Sequence, residues 1–242
     1  MKLMRTHHGW TTLATALLLP LVGTALLPAQ QPDEATIIRG IDAAVQARLD
    51  AIVGYTVTEH YTVFRNGDET HPAAQRTVHT TYKRGVGKNY EIVSDSGSDL
   101  LRKLVLDAIL ENERRINAPG ATDHSYIVSA NYEMHLNPGG PQSLNGRDCY
   151  VLSIRPREKA PNLIVGTLWV DTKDESIVQL QGVTSKSVSV FTGPTQVMRT
   201  YVKVNGLSQA THASGASSSM LFGHTVVTID YENYNIQVRA AK

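Results

Sequence analysis

From Tyr55 to Tyr231 the chain is a succession of short segments in which apolar and polar residues alternate, separated by turns rich in Gly, Asn, Asp and Pro. A period of two places successive side chains on opposite faces of an extended strand. The spacing predicts strands over Tyr55–Phe64, Arg76–Arg84, Lys88–Ser94, Asn131–Leu136, Arg147–Arg155, Leu163–Asp171, Ser176–Thr184, Gln196–Val204, Leu207–Ser219 and His224–Tyr231. Asn66-Gly67-Asp68, Thr172–Glu175 and Asn205-Gly206 supply turn chemistry between them. So many strands with short polar connections call for a mainly β (α+β) fold, one large antiparallel sheet that curls.

Two helical patterns interrupt the strands instead of alternating with them, which argues against a parallel α/β arrangement. Asp33–Val53 carries Ile37, Ile41, Val45, Leu49 and Ile52 on one stripe, with Gly54 placed to end it. Asp99–Arg114 carries Leu100, Leu101, Leu104, Val105, Ala108 and Ile109 on a broad apolar face. This second helix suits either a lid or a fixed packing element.

The first thirty residues read differently. Lys2 and Arg5 precede the apolar run Leu13–Leu27, broken by Pro20 and Gly23 and followed by Pro28-Ala29-Gln30-Gln31. Those are the parts of a secretory signal peptide, expected over residues 1–29 with cleavage near Ala29. The run is shorter than the ~20 residues of a spanning helix, although an uncleaved anchor is the alternative. Residues 30–242 then form a single exported domain, expected in the periplasm or outside the cell. With 23 Lys+Arg against 22 Asp+Glu, there is no basic footprint for nucleic acid. The single cysteine, Cys149, excludes an intrachain disulfide.

Chemistry-bearing patterns are sparse. His60 and His79, with His71, start a cross-strand metal site on one face of the first hairpin, but the rest of that face is threonine, so a solvated Thr/His face is the better reading. If His60 lies opposite His79, Tyr61 falls beside Val78 and Val57 beside Tyr82. Glu59 then lands on the apolar side, at a cavity mouth or at a sheet edge in water, the edge being favoured. Cys149 has no assignable base and reads as a buried structural thiol. Ser94-Asp95-Ser96-Gly97-Ser98 before a helix lacks the Lys of a phosphate loop and reads as a capped turn. No cofactor, metal ligand set or catalytic residue is expected, and the chain does not read as an enzyme.

Several stretches carry a family likeness: Tyr90-Glu91-Ile92-Val93-Ser94-Asp95-Ser96-Gly97 with the helix from Asp99; Asn145-Gly146-Arg147-Asp148-Cys149-Tyr150-Val151-Leu152; Leu168-Trp169-Val170-Asp171 with Ile177–Gly182; and Val226–Tyr231. Together with the element order, they make the chain resemble the superfamily of LolA, LolB and RseB, and within it bacterial outer-membrane lipoprotein-sorting-like proteins. The resemblance implies a LolA-like incomplete β-barrel whose helices cover the concave side, with acyl chains held in the apolar space between. No position here is assigned to the arginine that the carriers use near their first strands.

The residues expected at such a cavity are Val57, Tyr61, Val78, Tyr82, Tyr90, Ile92, Leu101, Leu104, Val105, Tyr150, Leu152, Ile154, Val178 and Leu180; each fits an ordinary core position as well. The reading is a monomeric, non-enzymatic carrier for acyl chains of lipids or lipoproteins. Its alternative is an RseB-type envelope sensor acting through a partner, such as an envelope membrane protein.

Overall fold

The computed structural model describes residues 33–120, 124–187, 193–219 and 223–239. The chain divides into two units, Met1–Gln31 and Pro32–Lys242, and every described residue belongs to the second. The leader expected over residues 1–29 lies outside the described residues. Among those residues no helix is long and apolar enough to cross a membrane.

Helix α1 spans Glu34–Ala51, and the Asp33 carboxylate caps it by accepting from the Thr36 amide at 2.7 Å. Ile37 and Ile41 are its buried residues. The helix ends before Gly54, contrary to expectation, and the chain passes directly into strand β1, Ile52–Arg65. Its last carbonyls find a donor elsewhere. Arg84, far along the chain, donates to the carbonyls of Leu49 and Ile52, so no glycine cap is needed.

The remaining strands are β2 (Ala74–Lys83), β3 (Gly87–Gly97), β4 (Tyr132–Leu136), β5 (Gln142–Leu144), β6 (Arg147–Pro156), β7 (Ile164–Asp171), β8 (Ile177–Thr184), β9 (Gln196–Val204), β10 (Leu207–Ser219) and β11 (Gly223–Val238). They form one antiparallel sheet in the order β3-β2-β1-β11-β10-β9-β8-β7-β6-β4, with β5 paired to β6. The sheet is not closed: β3 and β4 are its two edges. Strand β5 lies in what the sequence suggests is a loop, and β3 runs on through residues expected to turn. Strand β11 outruns its expected end at Tyr231 because a bulge with Asn233 at φ 57° lets it follow β1 to Ile52.

The first hairpin pairs two residues away from the expected register. His60 lies opposite Thr77 and His79 opposite Thr58, so Tyr61 meets Arg76 and Val57 meets Thr80. A shift of two preserves every face. Further across, Gly166 and Gly182 are register partners, and a Cβ on Gly166 would sit 2.0 Å from the Gln181 carbonyl oxygen. Only glycine allows the two backbones to approach so closely there.

The second helical segment comprises α2 (Asp99–Leu101), a π-helical stretch (Arg102–Leu106) and α3 (Asp107–Ile116). The Ser98 hydroxyl accepts from the Leu101 amide at its start. Its buried residues are Leu101, Leu106 and Leu110. The sequence suggested a face through Leu100 and Leu104, but both are more than half exposed. The cause is the π stretch: its i→i+5 bonding makes residues five apart share a face, so Leu106 replaces Leu104 beneath the helix.

Buried residues fall into two cores on the helix-bearing face. In the first, Ile37 and Ile41 of α1 pack on Tyr132, Met134, Tyr150, Leu152, Ile154, Leu168, Val170 and Leu180. In the second, Leu101, Leu106 and Leu110 pack on Tyr61, Val63, Ala74 and Val78.

Candidate functional site

The residues expected to share one cavity are divided between these cores. Tyr61, Val78 and Leu101 belong to the second, with Tyr90 and Val105 packed against it. Tyr150, Leu152, Ile154 and Leu180 belong to the first. Val57 and Val178 are each 1% exposed, and Tyr82 is half-buried and stacks on Tyr55 at 5.1 Å between ring centroids. Ile92 is 51% exposed on edge strand β3, and Leu104 is 54% exposed on the π stretch.

Between the cores runs a seam along β10. Ladder pairing places Val63, Val227, Gly215, Val197 and Gly182 in one row across β1, β11, β10, β9 and β8, with Tyr61, Ile229, Ala213, Arg199 and Leu180 in the next. Val227 and Ile229 are the partly buried rim of the second core, and Val197 is the rim of the first. At Gly215 an added Cβ would meet, among the described residues, only the Thr195 methyl, at 3.5 Å, within a 4 Å radius. Between the rims on β11 and β9, two inter-strand gaps make the seam about 10 Å wide. Its Val227–Gly215–Val197 row is apolar, lies between two packed cores and, among the described residues, is open at Gly215, while Arg199 stands in the next row.

One row further along the strands the face is polar. Glu59 is 2% exposed and accepts from the Tyr61 hydroxyl at 2.5 Å. This corrects the sheet-edge position favoured from sequence, because β1 is an inner strand whose odd positions face the helices. Lys88 of β3 donates to Glu113 of α3 at 2.9 Å, with the two side chains 13% and 22% exposed. Burial disfavours the Lys88 ammonium, but Glu113 and neighbouring groups outweigh that and hold its pKa well above the ordinary value. Burial likewise opposes the Glu113 carboxylate, yet Lys88 and Arg199 keep its pKa below the usual range. Arg199 on β9 lies in the field of Tyr201, Tyr231 and Glu113. Burial and then the charge of Glu59 push the Tyr61 hydroxyl upward, so it remains a donor.

The belt Glu59–Lys88–Glu113–Arg199 with its tyrosines was not found from sequence, apart from Tyr61 and Tyr90. Its members come from β1, β3, α3 and β9, and the only local signal was Glu59 standing among apolar neighbours.

No family model matches the chain, and no curated protein matches it. Solved structures do. One is a LolA superfamily protein from Nitrosomonas europaea, 12% identical over 84% of this chain and 93% of that one, with a TM-score of 0.42. Another is a DUF1329 family protein from Desulfovibrio piger, 14% identical over 85% and 95%, TM-score 0.41. A third is a domain from Vibrio parahaemolyticus named for outer membrane lipoprotein sorting, 13% identical over 83% and 93%, TM-score 0.44.

Two surface hollows are also present. One, of about 400 Å³, is lined by Ile38, Ser129, Tyr132, Met134, His135 and Arg157, with Glu133, beside edge strand β4. The other, of about 380 Å³, brings together Val178, Tyr201, Lys203 and Arg147 with Asn145. The second helical segment is anchored by charge as well as by leucines. Arg76 of β2, 5% exposed, holds Asp95 through Nε at 2.7 Å and also binds Asp107 of α3. With Lys88–Glu113 this makes two ionic ties from helix to sheet, as a fixed packing element would have.

Proposed function

We propose that this chain binds the acyl chain of a lipid or lipoprotein non-covalently along the β10 seam, as a carrier in the periplasm and not as an enzyme. The observation that carries the reading is the open Gly215 position within an apolar strip bounded by two packed cores. A filled core would put a side chain there. Transfer of a methylene out of water contributes about 0.8 kcal/mol, so ten methylenes contribute roughly 8 kcal/mol before ordering costs. Such binding asks for area and shape, not for a sharp motif. The fixed helical segment supports a groove that takes its ligand along the seam, with no lid movement required.

Native mass spectrometry of the chain purified from a periplasm tests this. Co-purifying lipid is expected, and Gly215→Trp should exclude it while leaving the fold intact, because among the described residues a Cβ there meets only the Thr195 methyl, at ordinary contact distance. A wild-type chain that is empty and indifferent to added palmitate or lipopeptide would refute the proposal.

A further inference from the structure

Four buried polar side-chain atoms lack a hydrogen-bond partner among the described residues: Thr80 Oγ1, the Tyr90 hydroxyl, Arg199 Nε and Gln209 Nε2. A buried donor left unpaired is costly, and native interiors seldom keep one without a bound group to receive it. Arg199 is placed with particular economy. It is the ladder partner of Ala213 in the seam, two residues from Val197 in the apolar row. Tyr90 and Thr80 are partners on β3 and β2, and the Arg114 guanidinium lies over the Tyr90 ring at 5.6 Å. Glu113, next to Arg114, lies within electrostatic reach of both Tyr90 and Arg199.

We infer that the polar belt receives the carbonyl-bearing head of an acyl ester or amide, its oxygens accepting from Arg199 Nε and the Tyr90 hydroxyl while the chain lies along the seam. The inference rests on the acyl-binding reading and names the chemistry of its polar end. The unpaired atoms ask for acceptors, which a carbonyl group provides. Formal charge decides between a neutral head and an anionic one. Glu59 and Glu113 already offset Lys88 and Arg199, so a free carboxylate entering the belt would bring a buried charge with no counterion left over. A carbonyl oxygen brings none. A plain hydrocarbon or ether chain would fill the seam but leave the donors poorly satisfied.

The test compares three probes of equal chain length on the intact chain, by displacement of an apolar fluorescent dye: methyl palmitate, hexadecyl methyl ether and palmitate. Methyl palmitate should bind roughly tenfold more tightly than the ether, the scale of one or two net hydrogen bonds. Arg199→Lys keeps the charge but removes Nε–H. It should erase most of that preference while leaving the ether's affinity unchanged. Tyr90→Phe should do the same in part, and it removes an atom with no hydrogen-bond partner among the described residues, so its folding should be unimpaired. Equal affinities for ester and ether in the wild type would overturn the inference and leave the acyl-binding reading standing. Palmitate binding more tightly than the ester would overturn it in favour of an anion site. Failure of all three probes to bind would remove the acyl-binding reading and this inference with it.

Discussion

The Lys88–Glu113 pair lends itself to a sharp thermodynamic test. Both groups are mostly buried, and each is the other's closest opposite charge. Glu113→Leu leaves the Lys88 ammonium under α3 without its carboxylate, which should cost about 3 kcal/mol, the lower end for a broken buried pair. Lys88→Met should cost less, roughly 1–2 kcal/mol, because Arg199 and Asn117 still neighbour Glu113. The double variant removes both desolvation penalties and should cost about 1 kcal/mol or less. Urea unfolding reads all four chains; with an m-value of about 2 kcal/mol/M, Glu113→Leu should lower the midpoint by roughly 1.5 M. The pH dependence has a definite sign. The folded-state pKa of Glu113 is depressed, so its contribution is present above the unfolded value of about 4.3 and fades as pH falls through the lower folded value. The raised Lys88 pKa gives a contribution that is full below about 10.4 and fades as pH rises through its folded value. Between those limits the pair's contribution should be flat. Single-variant costs that simply add in the double variant would refute the coupling and with it the buried character of the belt.

Other substitutions examine the fold that frames the seam. Gly166→Ala would press a methyl against the Gln181 carbonyl and should destabilise by about 3 kcal/mol in urea unfolding. A Cβ on Gly40 would lie 2.7 Å from Glu175 Cγ, so in Gly40→Ala the shift of that side chain offsets the helix-propensity gain of up to about 1 kcal/mol and the unfolding midpoint should change little. Leu106→Ala should cost about 2–5 kcal/mol, whereas Leu104→Ser should change the unfolding midpoint little, since the π stretch buries one and exposes the other. Cys149 is 0% exposed, and burial raises its thiol pKa, so a thiol-directed reagent should modify it only after denaturation.

Much of the architecture could be read along the chain because strand alternation and helix caps are local. The bounds of β9 and β10 match their sequence patterns, and Asp33 and Ser98 cap the helices they precede. Other features depend on partners far away in sequence. Helix α1 ends before Gly54 because Arg84 meets its last carbonyls. Leu104 lies off the buried helical face because a π stretch changes the period without changing the composition.

The amino-acid order alone settles most of the strands and which residues within each strand share a face, since both follow from interactions within a few residues. It does not settle which face of β9 turns inward, as Val197, Arg199 and Tyr201 alternate with Met198, Thr200 and Val202 and either set fits a half-buried strand. Pairing of β9 with β8 and β10 makes that choice and carries Arg199 inward, while pairing of β1 with β11 buries Glu59. The polar belt and the open seam therefore arise only in tertiary structure, where strands from both ends of the chain meet and two separate cores leave β10 between them.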